Sequence, residues 1–165
     1  MKASSVLWTV VFIVIVILLP SGRVSGAEYH GLVSMDDYYS DDSSSTNDFH
    51  LLTSRLRLDA EKLNKAGNIA FHFEGRQRSN LGSSDYSSSS RNERIDILNL
   101  EYTGKGKVYM AAGRLWPKEM YVERVDGINL VRQWSNSGVG FFAGVKPDPY
   151  TQGFNSNYTA AGAYY

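Results

Sequence analysis

The chain contains no cysteine. That absence excludes disulfides, thiolate metal sites, a cysteine nucleophile and a lipid-modified N-terminal cysteine. Neither sign of charge is in excess, because 17 basic residues balance 17 acidic ones. Two of the basic residues, Lys2 and Arg23, fall in an apolar leader without acids, so the remainder is slightly acidic. This gives no electrostatic case for nucleic-acid binding. Beyond the leader, no segment sustains a 3.6-residue apolar period, so amphipathic helices are not expected. The G-x-S-x-G nucleophile elbow is missing. Gly104-Lys105-Gly106-Lys107 lacks the Ser/Thr and the helix that follow a phosphate loop, and reads as a hairpin turn. His30, His50 and His72 fall in three different expected strands, without metal-ligand spacing. The chain reads as a non-enzyme with no cofactor and no metal site.

The leader has its own pattern. Lys2 supplies a positive charge, and residues 6–19 are apolar apart from Thr9. Pro20, Ser21 and Gly22 break a helix, and Ser25-Gly26-Ala27 places small residues before Glu28. This is the charged, apolar and small-residue sequence of a signal peptide, here residues 1–27. The uncharged stretch 3–22 also approaches the ~20 residues of a membrane span. The helix-breaking end favours cleavage, and either way the chain from Glu28 onward is exported. Taking 27 from 165 residues leaves 138, enough for one domain.

Residues 28–165 alternate apolar and polar in stretches of about ten, separated by turn chemistry. Eight strands are expected, over residues 30–39, 49–60, 68–78, 94–103, 107–115, 127–135, 138–146 and 157–165. Their connections alternate in length. Ser40 to Asp48 is long, Glu61 to Gly67 tighter, Ser79 to Glu93 long and Ser-rich, and Gly104 to Gly106 tight. Trp116 to Asp126 is long, Asn136-Ser137 is a two-residue turn, and Pro147 to Ser156 is long. An outer-membrane β-barrel requires such an order, with short turns on the periplasmic side and long loops outside. A tilted strand needs ~9–11 residues to cross the hydrocarbon layer, and these stretches sit near that length.

The faces of the strands differ in charge. Leu52, Leu56, Leu58 and Ala60 oppose Arg55, Arg57 and Asp59. Ile69, Phe71 and Phe73 oppose His72, Glu74, Arg76 and Arg78. Leu98, Leu100 and Tyr102 oppose Asn99 and Glu101, and Tyr109, Ala111 and Leu115 oppose Arg114. Val139, Phe141, Ala143 and Val145 oppose Gly140, Gly144 and Lys146. A charge facing lipid at mid-depth costs ~2–4 kcal/mol, so the charged side is expected to face a lumen. The lumen-facing set is Arg55, Arg57, Asp59, His72, Glu74, Arg76, Arg78, Glu101 and Arg114. Residues 127–135 fit less well, because Arg132 shares parity with Ile128, Leu130 and Trp134. Residues 30–39 and 157–165 give no clear face. Tyr38, Tyr39, Tyr102, Trp116, Tyr121, Trp134 and Tyr150 lie near strand ends, where aromatic girdles meet the bilayer surfaces.

With the leader and the alternation, the runs AAGRLW (111–116), VDGINLVRQW (125–134) and GVGFFAGVKPDP (138–149) resemble porin-like outer-membrane barrels of Gram-negative bacteria. The resemblance implies an all-β, antiparallel up-and-down transmembrane β-barrel and passive diffusion of small polar solutes. It implies outer-membrane lipid and the export and barrel-assembly machinery as partners, and it carries no catalytic residue. Barrels of that group have 16 or more strands, so eight strands suit the amino-terminal part of one. Inward arginines in a pore favour anions. Two other readings stay open. One is a complete eight-stranded barrel, its interior filled by paired side chains, with a structural, adhesion or surface-protection role. The other is a soluble exported β-sandwich that binds a ligand. In the acidic connection, Asp41, Asp42 and Asp48 read as a solvated loop rather than a cation site.

Overall fold

The computed structural model describes residues 26–40, 49–81, 93–116, 124–148 and 153–165. Nearly all of the expected signal peptide, the connection with Asp41, Asp42 and Asp48, and the aromatics Tyr121 and Tyr150 lie outside the described residues.

Alternating side chains and turn-rich connections produce eight strands. They are β1 (Glu28–Ser40), β2 (Phe49–Glu61), β3 (Ile69–Asn80), β4 (Glu93–Gly104), β5 (Val108–Leu115), β6 (Val125–Gln133), β7 (Gly138–Val145) and β8 (Thr159–Tyr164). All eight expected strands are present, with ends within two residues of the expected ones. Each pairs antiparallel with the next, in the order β1-β2-β3-β4-β5-β6-β7-β8. The up-and-down topology matches the expectation. The closed eight-stranded barrel, the alternative reading, is not what the strands form: β1 and β8 are the two edges of an open sheet.

Three short connections gather at one end of the sheet. In the first, Asn64 Oδ1 accepts from the Asn68 amide at 3.0 Å and Asn64 O accepts from the Gly67 amide at 2.9 Å. In the third, the Trp134 amide donates to Ser137 O at 2.7 Å, so Ser135 and Asn136 are the central pair. The turn therefore sits one residue earlier than the sequence suggests. In the second, Gly106 (φ 83°) and Lys107 (φ 61°) are left-handed. That conformation suits glycine and costs another residue roughly 1–2 kcal/mol. Lys107 recovers little, because its ammonium reaches Trp134 O only at 3.4 Å. Lys107→Gly is expected to stabilise the sheet by about 1 kcal/mol in urea unfolding; destabilisation would show that the lysine contact outweighs the backbone cost.

Register assigns every side chain to one of two faces. The inner face lines a cavity of about 740 Å³. On the outer face, Tyr29, Ala60, Phe71, Leu100, Ala112, Ile128, Ala143 and Ala161 are successive partners across all eight strands. No polar side chain interrupts that row. A second outer row runs Ile69, Tyr102, Met110, Leu130, Phe141 and Ala163. Leu100, Ile128 and Phe141 are 52%, 50% and 57% exposed. Ala60 and Phe73 are exceptions: both are fully buried, Phe73 with its ring folded over Gly75.

Two backbone features shape the sheet. Gly113, Gly127 and Gly144 are consecutive partners in one inner-face row across β5, β6 and β7. The backbones close in there: a Cβ on Gly127 would collide with Ala143 O and lie 2.6 Å from Gly144 Cα. Gly113 also has φ 125°. This glycine row is a crease, a device that bends sheets. The second feature is a bulge where Glu74 and Gly75 of β3 face Ile97 and Ile95 of β4, leaving Asp96 extra.

Candidate functional site

The inner face collects most of the charged side chains that the sequence singled out. Arg55, Arg57 and Asp59 on β2 stand in register with Arg76, Glu74 and His72 on β3, and Arg78 follows opposite Thr53. Glu101 on β4 shares this face, opposite Ala70 and Ala111. Arg114 does not. It sits in the outer-face row between Leu98 and Asp126, while Ala111 and Leu115 are buried on the inner face. The expected lumen-facing position of Arg114 is thus corrected. Strand β5 is apolar on both faces, so one arginine was a misleading guide to its parity. The Arg114 guanidinium grips Asp126 through Nε–Oδ1 at 2.6 Å and Nη2–Oδ2 at 2.7 Å. A third bond runs from Nη1 to Ile95 O at 2.8 Å.

The short-turn half of the inner face is neutralised by pairing. His72 Nδ1 lies 2.7 Å from Asp59 Oδ1, and its Nε2 lies 3.6 Å from Glu101 Oε2. One imidazole therefore bridges carboxylates on two neighbouring strands. Arg57 Nε donates to the other Asp59 oxygen at 2.8 Å. At the sheet's end, Lys62 pairs with Glu28, whose carboxylate holds the exposed ammonium above its ordinary pKa.

The long-connection half is different. Ser34, Arg55, Arg76 and Arg94 are successive partners across β1 to β4, which puts three arginines side by side. Arg94 lies 2.5 Å from Asp96, and Arg124 reaches the same oxygen at 2.9 Å. The Arg124 guanidinium also lies over the Trp116 ring, 5.1 Å from its centre, a cation–π contact. Sequence reasoning missed Arg94, Asp96 and Arg124. Strict alternation puts Arg94 and Asp96 with Leu98 on the apolar side, and the bulge swings them to the other. A charged pair breaking an apolar parity was the signal available.

The cavity lies beyond this network, over β4 to β8. Asn99, Glu101, Tyr109, Asn129, Gln133 and Tyr164 line it, with Trp116 and Trp134 at its rims. Tyr164 donates its hydroxyl to Asn129 Oδ1 at 3.1 Å, and its ring covers Gly140. Phe142 and Val125 are buried on the same side.

Of the aromatic residues expected at interfaces, the described ones fall toward both ends of the sheet. Tyr102 is two register rows in from the Gly104–Val108 pair that closes the second short turn, and Trp134 opens the third. Tyr38, Tyr39 and Trp116 are at the opposite end, all exposed, and Tyr39 packs edge-on to His50 at 5.7 Å. His50 in turn contacts Asp37 at 2.7 Å. Among the described residues, no three His, Asp or Glu side chains group as a metal site. Comparison of the chain with protein-family models, with curated proteins and with solved structures gives no match.

Proposed function

We propose that this sheet is part of the wall of a porin-like outer-membrane channel, through which small polar solutes diffuse passively with a preference for anions. The outer face meets lipid and the inner face meets water. The observation that carries this reading is the uninterrupted apolar row from Tyr29 to Ala161 across eight strands, with Ile128 half exposed. Soluble monomers rarely leave a contiguous apolar surface of this extent uncovered. A soluble sandwich would lay such a face against a second sheet, and the described residues form one sheet.

The placement of charge supports the same reading. Arg114 and Asp126 neutralise each other on the outer face. Arg132 is in the last outer row before the third short turn, between Val108 and Val139. There the cost of a charge near lipid falls to ~0–1 kcal/mol. Lipid tolerates no open strand edge, so in a membrane β1 and β8 pair with each other or with further strands. Export and barrel-assembly machinery would deliver the chain. The reading assigns it no catalysis.

The test is reconstitution of the full chain into planar bilayers under a potassium chloride gradient. The expected result is stepwise conductance with a reversal potential on the anion side. Insertion without conductance would favour a filled structural barrel, and a product soluble without detergent would favour the sandwich.

A further inference from the structure

We infer that the arginine row at the long-connection end of the inner face is a binding site for a water-borne solute carrying two or more phosphate charges. The inference deepens the channel reading by naming the anion class, and it rests on that reading for the route of entry. Arg55 and Arg76 are direct register partners, Arg76 and Arg94 are the next pair, and Arg78 stands two residues along β3 on the same face. Like charges directly opposite one another destabilise a sheet. Several other charges near this row are matched: His72 by Asp59 and Glu101, Arg57 by Asp59, and Arg94 by Asp96, while Glu74 stands two residues along β3 from Arg76 on the same face.

Among the described residues, no carboxylate pairs with Arg55, Arg76 or Arg78, and the Nε atoms of Arg76 and Arg78 are buried without a hydrogen-bond partner. A buried donor without an acceptor is costly, so the site is built for an acceptor that comes from outside. Asp36 shares the face but is separated from Arg78 by Thr53.

The geometry selects among anions. Adjacent strands lie ~4.8 Å apart, so the row presents guanidiniums over roughly 10 Å. A chloride neutralises one of them. A diphosphate spans neighbouring ones, and its oxygens match the planar fork of arginine bidentately. Lipid headgroups carry the same phosphate chemistry, but the row opens on the face opposite the apolar rows, which favours a solute in water.

The experiment is calorimetric titration of the full chain in non-ionic detergent with pyrophosphate, at constant ionic strength. Wild type is expected to bind, with affinity falling steeply as salt rises. Arg76→Gln and the double variant Arg55→Gln/Arg78→Gln are expected to bind at least tenfold more weakly. Lys105→Gln, in the turn at the other end, is expected to match wild type. Arg→Gln removes repulsion, so Arg76→Gln is expected to raise the thermal midpoint in anion-free buffer, and pyrophosphate to raise it in wild type alone. No pyrophosphate binding, or undiminished binding by Arg76→Gln, overturns the site. Phosphatidylglycerol in mixed micelles that occupies these arginines while pyrophosphate does not would assign the phosphate to a lipid and overturn the water-borne solute. Conductance without pyrophosphate binding removes the site and leaves the channel; binding without conductance does the reverse.

Discussion

Gly127→Val is expected to lower the unfolding free energy by about 3 kcal/mol, the upper end of what overpacking costs. A Cβ on Gly127 meets backbone, not a flexible side-chain end: Ala143 O and C, and Gly144 Cα. Backbone in a paired ladder cannot move aside without parting β6 from β7. The same crease holds Gly144, where a Cβ would collide with Asp126 O and Gly127 Cα, so Gly144→Ala is expected to act in the same direction. Gly31→Ala is the control, because its nearest neighbour would be Arg57 O at 3.8 Å, an ordinary contact. The check is urea unfolding of the refolded chain, followed by tryptophan fluorescence. A Gly127→Val midpoint equal to that of Gly31→Ala would show that the crease does not hold β6 and β7 together.

The second large effect is expected on the outer face. Ile128 stands in the middle of the apolar row, between Ala112 and Ala143. Ile128→Arg is expected to cost ~2–4 kcal/mol in refolding into lipid vesicles, the figure for a charge facing lipid at mid-depth. Asn129→Arg, one residue along and on the inner face, is the contrasting variant. Its side chain replaces a buried one, so its cost is expected in detergent and in lipid alike. The Ile128→Arg cost is expected in lipid alone. An Ile128→Arg chain that inserts as readily as wild type would remove the argument that this face contacts hydrocarbon.

Much of this architecture is local and therefore legible. A strand declares itself through period-two alternation, and Phe71-His72-Phe73-Glu74 or Leu56-Arg57-Leu58-Asp59 leaves little choice of face. The turn around Gly106 is legible because a left-handed position favours glycine. Three features were not legible, each for a physical reason. The bulge at Asp96 adds one residue, and period-two reasoning after an added residue inverts. Strand β5 has apolar side chains on both faces, so Met110 and Ala111 carry equal weight in a parity argument. Closure depends on whether the first and last strands meet, a property of the accumulated bend and shear that no single residue encodes. The arginine site was half legible. Arg55, Arg76 and Arg78 announced a basic face, but the alignment of Arg55 with Arg76 is a matter of register across two strands.

The central claim is that alternate residues of one strand face lipid and water. The absence of cysteine makes this directly measurable, because a single introduced cysteine carries a unique spin label. Labels placed in turn at Ile128, Asn129, Leu130 and Val131 of the full chain in lipid vesicles would be read for collisions with dissolved oxygen and with a water-soluble nickel chelate. Positions 128 and 130 are expected to favour oxygen and positions 129 and 131 to favour nickel, a period of two that follows the β6 register. Equal nickel access at all four positions, or oxygen preference at 129 and 131, would contradict it.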